Sequence, residues 1–88
     1  RCVQEFTARL AKGEPVAVGD EVEQYAVSGA VEVLLMHEDF FLRNRDGALR
    51  ILDAVRNGGG RVFIVPRTFE PAYMIEKMGG VVAILRYR

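Results

Sequence analysis

Three groups of residues in this 88-residue chain have types and spacings that could do chemistry. His37-Glu38-Asp39 sets an imidazole beside two carboxylates, the composition of a proton relay or a metal ligand set. It stands just past an apolar run, where open α/β sheets place their sites. The chain's one His and one Cys cannot complete a structural zinc site, and no nucleophile or cofactor loop accompanies them. The triplet therefore reads as a solvated connection whose acids cap the next helical turn. The run Gly58-Gly59-Gly60 has the composition of a phosphate cradle, but such a cradle follows a strand and opens a helix. These glycines follow a helical pattern and precede an extended one, so they read as a helix C-cap and turn. Ten of the twelve basic residues are arginine, with Arg43 and Arg45 in one loop and Arg86 and Arg88 at the end. No aromatic alternates with them as in a single-strand stacking platform. Cys2 has no neighbouring base to activate it. No enzyme, cofactor or metal is expected.

The elements that hold these groups follow from periodicity. Val3, Phe6 and Leu10 share one face of a helix that ends at Gly13. Pro15 to Val18 is a short extended segment that suits a sheet edge. Asp20, with Glu23 three residues on, predicts an N-cap for a second helix with Val22, Tyr25 and Ala26 on its buried face. Ala30 to Met36 is apolar except for Glu32 and predicts a strand covered on both faces. A polar connection, His37 to Arg45, carries Phe40, Phe41 and Leu42; one of the two phenylalanines is expected in the core and the other at the surface. Asp46 is expected to cap a third helix and to pair with Arg50, with Ala48, Ile51, Leu52 and Val55 as its core stripe. Arg61 to Val65 predicts a second buried strand. Pro71 opens a helix with Met74, Ile75 and Met78 facing inward, and Val81 to Tyr87 is the last strand. Helices alternating with strands imply a three-layer α/β/α sandwich around a small, mostly parallel or mixed sheet.

Composition bounds the rest. Half the residues are hydrophobic and 27% are charged, the usage of a single globular domain spanning 1–88. One cysteine forms no internal disulfide, which fits a reducing compartment. The longest apolar run near the C-terminus, Val81 to Leu85, falls far short of the roughly 20 residues that span a bilayer. Twelve acids balance twelve bases, so the usual footprint of a nucleic-acid or anionic-membrane binder is missing. The charges are nonetheless segregated: residues 1–40 hold eight acids and three bases, residues 41–88 four acids and nine bases. The chain enters a helical pattern at once, which is expected of a domain cut from a longer protein.

Four blocks together point to a family. Gly29-Ala30-Val31-Glu32-Val33-Leu34-Leu35 resembles the strand entry of the third domain of the Pelota and archaeal/eukaryotic release-factor family. Phe6, Leu10 and Gly13 fit the same pattern upstream, and Gly59-Gly60-x-Val62-x-Ile64 fits it downstream. The ending Gly79-Gly80-Val81-Val82-Ala83-Ile84-Leu85-Arg86-Tyr87 is similar to the family's terminal signature. Release factors carry a minidomain after the strand equivalent to Ala30–Met36. The short His37–Arg45 connection places this chain nearer the Pelota branch, with a release-factor third domain as the alternative. Val18 replaces a frequent tyrosine, and Pro66-Arg67-Thr68-Phe69-Glu70-Pro71 replaces a Ser- and His-containing loop.

The resemblance implies a fold similar to that of the kink-turn-binding ribosomal proteins. It implies a cytoplasmic role in ribosome rescue and mRNA surveillance, as a protein-docking domain without chemistry of its own. Its implied partners are an elongation-factor 1-alpha-type translational GTPase, a ribosome-recycling ABC-type ATPase, and the ribosome through the parent protein. Ile84, Leu85, Arg86 and Tyr87 are the implied GTPase-binding segment. Gly58-Gly59-Gly60-Arg61 is not the Gly-Gly-Gln motif of the release-factor middle domain. Kink-turn RNA binding is a further alternative, but Asp20, Glu21 and Glu23 occupy the stretch where that class reads RNA, and a phosphate backbone repels them.

Overall fold

The computed structural model describes residues 2–87. Its elements run α1 (Cys2–Lys12), β1 (Val16–Val18), a 3-10 turn (Gly19–Glu21), α2 (Val22–Val27), β2 (Val31–His37), α3 (Glu38–Arg43), α4 (Arg45–Asn57), β3 (Arg61–Val65), α5 (Ala72–Lys77) and β4 (Val81–Leu85). The four strands form one mixed sheet in the order β1-β4-β2-β3. β2 and β3 are parallel, whereas β4 runs antiparallel to both of its neighbours, β1 and β2. α5 has only six residues, about 9 Å of axial rise, against about 16 Å for a five-residue strand. It does not carry the chain back along the sheet, so β4 re-enters from the end at which β3 left. There the His37 amide donates to the Gly80 carbonyl at 2.8 Å.

Two helix layers cover the sheet, as the alternating pattern requires. Val22 and Ala26 of α2, Ala48, Ile51 and Val55 of α4, and half-buried Phe40 and Phe41 of α3 pack on one face against Leu34, Met36, Ala83 and Leu85. Val3 and Phe6 of α1 and Ala72 and Ile75 of α5 pack on the other, against Val33, Leu35, Val82 and Ile84. Strict alternation would send Val31 to the same face as Val33. The register shift between these two residues against β4 is a bulge that leaves half-buried Glu32 out of the pairing and turns Val31 to the opposite face.

Several expectations are corrected. The His37–Arg45 connection is not loop: His37 ends β2 and Glu38–Arg43 form a helical turn and a half. Asp20 does not cap α2, because it lies inside the 3-10 turn. The reciprocal contact comes from Glu21, whose Oε2 accepts from the Val18 amide at 2.9 Å. Asp46 is not the cap of α4 either. The Asn44 carbonyl accepts the first bond, from Ala48 at 2.8 Å, which leaves Asp46 inside the first turn. Arg50 pairs with Glu23 at 3.3 Å rather than with Asp46. Leu10 is exposed, Leu52 is half-buried, and Phe40 and Phe41 are both partly buried rather than divided between core and surface. β3 is a sheet edge, with Phe63 and Ile64 exposed rather than buried.

Candidate interaction surfaces

The residues singled out for proton or metal chemistry occupy the C-terminal end of β2, and the fold commits each of them to a structural task. His37 is buried, because β2 extends one residue beyond Met36 and pairs His37 with Val65. The imidazole Nδ1 accepts from the Asp39 amide at 2.9 Å, so His37 is the side-chain N-cap of α3. The loop after β3 then folds over the start of α3. The Arg67 amide donates to Glu38 Oε2 at 2.8 Å, and its guanidinium donates to Asp39 Oδ1 from Nε at 3.0 Å and from an Nη at 2.6 Å. The Arg67 hydrogen bond holds the Asp39 carboxyl below its ordinary range, and Asp39 in turn raises Arg67. A lone pair and two carboxylates occupied in this way form a clasp between two strand ends. The solvated loop expected at His37 is thus a buried cap.

Arg67 is the member of this cluster that periodicity does not reveal. It stands 28 residues from Asp39, and only the parallel pairing of β2 with β3 brings the two together. The run Gly58-Gly59-Gly60 behaves as expected: Gly58 is the C-cap of α4, and Gly59 takes φ +83° to turn the chain into β3.

At the opposite end of the sheet, the segment Ile84-Leu85-Arg86-Tyr87 is split by burial. Ile84 and Leu85 are fully buried on opposite helix layers. Arg86 and Tyr87 emerge from the sheet, and Tyr87 is 55% exposed. Arg86 is also tied to the fold. Its amide donates to the Ala30 carbonyl at 2.8 Å, and its guanidinium donates at 2.7 Å to the carbonyl of Gly29, just past the C-cap of α2. A cation against a carbonyl at a helix end is a favourable, charge-assisted arrangement. Val27, 73% exposed, lines the shallow depression between the ends of α2 and α4 on this same side.

This fold, with its two helix layers and terminal strand, has known counterparts. The family described as eRF1 domain 3 matches residues 1–88. The chain belongs to that family. It is 42% identical over 84 residues to the Protein pelota homolog of Archaeoglobus fulgidus, covering 89% of this chain and 24% of that protein. The crystal structure of Archaeoglobus fulgidus Pelota superposes with a TM-score of 0.89 at 36% identity, over 98% of this chain and 28% of that one. Archaeal Pelota in a model of its ribosome-bound form with ABCE1 gives a TM-score of 0.86 at 29% identity, over 99% and 25%. Saccharomyces cerevisiae Dom34, described as a translation termination-like factor involved in RNA quality control and interacting with Hbs1, shares the fold at a TM-score of 0.89 and 24% identity, over 98% and 26%. The chain spans about a quarter of the length of the curated relatives it matches. It is a translation-factor domain of the third-domain type. Among the described residues no helix is long and apolar enough to cross a membrane.

Proposed function

We propose that this domain is the protein-docking module of a ribosome-rescue factor. It binds an elongation-factor 1-alpha-type translational GTPase and a ribosome-recycling ABC-type ATPase, and it contributes no catalysis. It works in the cytoplasm, within a parent chain that reaches the ribosome. The observation that carries the reading is the end of β4. A fully buried strand delivers an aromatic side chain into solvent at Tyr87, beside a guanidinium fixed by the Gly29 carbonyl. Tyrosine and arginine are the side chains that dominate interface energetics, because each offers a large, partly apolar surface with a directed polar end. The similarity to Dom34, which interacts with Hbs1, and to Pelota bound with ABCE1 on the ribosome supports a docking role.

Tyr87 provides the cleaner test, since Arg86 also holds the end of α2. Tyr87→Ala is expected to weaken binding to an elongation-factor 1-alpha-type GTPase by about 2 kcal/mol, roughly thirtyfold, with little change in thermal midpoint. Arg86→Glu weakens the complex too, but costs about 1 kcal/mol of stability through loss of the charged hydrogen bond. Calorimetric titration and thermal melts on the same preparations separate the two effects. If the unsubstituted domain shows no complex with the GTPase, the docking reading is lost; an unaltered affinity in Tyr87→Ala removes the end of β4 from it.

A further inference from the structure

β3 is the least defended part of the molecule. It pairs only with β2, so half of its backbone amides and carbonyls face away from the sheet. No described residue donates to or accepts from that outer side. Sheet edges in stable proteins are blunted by lysine, proline, bulges or an overlying segment, because an open edge templates pairing with another chain. The strand Arg61-Val62-Phe63-Ile64-Val65 has no proline or lysine and no bulge against β2; the sheet's irregularity lies between β2 and β4 instead. Alongside this edge runs an open groove of about 440 Å³ between β3 and the start of α1. Val3 and Leu35 form its floor; Phe63, Pro66 and Phe69 form its walls, with Phe63 40% and Phe69 42% exposed. Exposed aromatics clustered beside an unpaired edge have the composition of an interaction site.

The charge of the groove states what kind of segment that is. Among the described residues, Arg61 is the only ionisable acid or base in its lining besides the thiol of Cys2, and its guanidinium lies 6.0 Å from the Phe63 ring centroid with no carboxylate in reach. The other arginine of this region, Arg67, is already committed to Glu38 and Asp39. A groove with hydrogen-bonding backbone along one side, apolar walls and a single unpaired cation is complementary to an extended, acidic polypeptide. We infer that β3 is a strand-addition site: a segment of a partner protein pairs with its outer edge, seats aliphatic side chains against Phe63 and Phe69, and places one Asp or Glu on Arg61. The site starts at the same end of the sheet as Tyr87 but on a different strand, so it does not depend on the GTPase-docking role of the end of β4.

The test is selection from a random dodecapeptide library displayed on phage, with the unsubstituted domain and two variants as bait. The domain is expected to enrich peptides in which apolar residues alternate around an Asp or Glu. On binding, these peptides shift and protect the amides of residues 61–65 in NMR spectra. Phe63→Lys lowers their affinity at least tenfold while leaving the Tyr87-dependent GTPase complex intact, and Arg61→Glu shifts the enrichment from acidic to basic peptides. Three results overturn the inference: no enriched peptide, enrichment indifferent to Arg61→Glu, or amide shifts that fall elsewhere. A concentration-dependent dimer of the domain that Phe63→Lys abolishes would assign the edge to a second copy and likewise overturn it.

Discussion

His37, Glu38, Asp39 and Arg67 show how residues with catalytic composition become structural. A histidine that ends a strand and caps the next helix has its Nδ1 lone pair in use, and a carboxylate held by two guanidinium hydrogen bonds is a poor proton acceptor. The clasp has a pH signature. Hydrogen bonding to Arg67 lowers the Asp39 carboxyl from its ordinary 3.8, so the folded state favours the ionised form. The stability it adds is fully present above the unfolded value and fades as pH falls through the lower, folded one. Arg67→Ala is therefore expected to lower the thermal midpoint at neutral pH, with the gap to the unsubstituted domain closing below about pH 4. Melts between pH 2.5 and 7 measure it. A gap that persists unchanged at pH 2.5 would mean that Arg67 acts through packing rather than through the ion pair. The exposed position of Asp39 keeps the effect small and makes it shrink with added salt.

At the scale of elements, the junction between α4 and β3 is the tightest point. A Cβ on Gly60 would lie 2.4 Å from the Val31 carbonyl oxygen and 2.7 Å from a Val55 methyl, both in the buried core. Neither can retreat: the first is backbone of the central strand, and the second is wedged under α4. Gly60→Ala is expected to cost at least about 2 kcal/mol, read as a loss in urea midpoint, in the range of core overpacking. A change under about 0.5 kcal/mol would show that α4 can slide on the sheet. Gly60 was legible as the end of a glycine turn, but not as this close approach, which depends on how the start of β3 lies against β2. The same holds across the fold. Helix faces in α2 and α4 follow from 3.6-residue periodicity, and the alternate facing of Val82, Ile84 and Leu85 from the strand repeat. β3 read as buried because Val, Phe and Ile look alike in a central strand and at an edge; only strand order distinguishes them. α3 was hidden because six residues with adjacent phenylalanines give no helical period, although Glu38 and Asp39 in its first turn were a signal. The antiparallel course of β4 was also beyond pattern, since it follows from where α5 delivers the chain. Of the terminal segment, the resemblance picked out four residues, and burial divides them into two that hold the core and two that meet solvent.

For the whole molecule, charge placement bears on the choice of partner. Net charge is zero, and the fold brings acids of the first half onto bases of the second: Glu23 meets Arg50, and Glu38 and Asp39 meet Arg67. Asp20 and Glu21 remain exposed where the 3-10 turn leads into α2, and Glu23 on the next turn is balanced only by Arg50, on α4. An RNA backbone approaching this corner meets three carboxylates and one guanidinium. Counterion release, which supplies most of the affinity of such complexes, needs the reverse. Several other arginines are committed elsewhere: Arg9 is paired with Glu5 at 2.9 Å, Arg43 with Glu76 at 2.7 Å, Arg67 with Asp39, and Arg86 is turned to the Gly29 carbonyl, while Arg61 lies on the edge strand β3. Titration against kink-turn RNA at about 0.15 M salt is therefore expected to show no complex in the micromolar range and no steep loss of binding between 50 and 200 mM salt. Reversing all three acids to lysine should create weak, salt-sensitive binding, which confirms that charge rather than shape is the barrier. A sub-micromolar complex of the unsubstituted domain, lost when α2 is altered, would move the proposed interaction surface from the end of β4 to the start of α2 and replace the proposed protein partner with RNA.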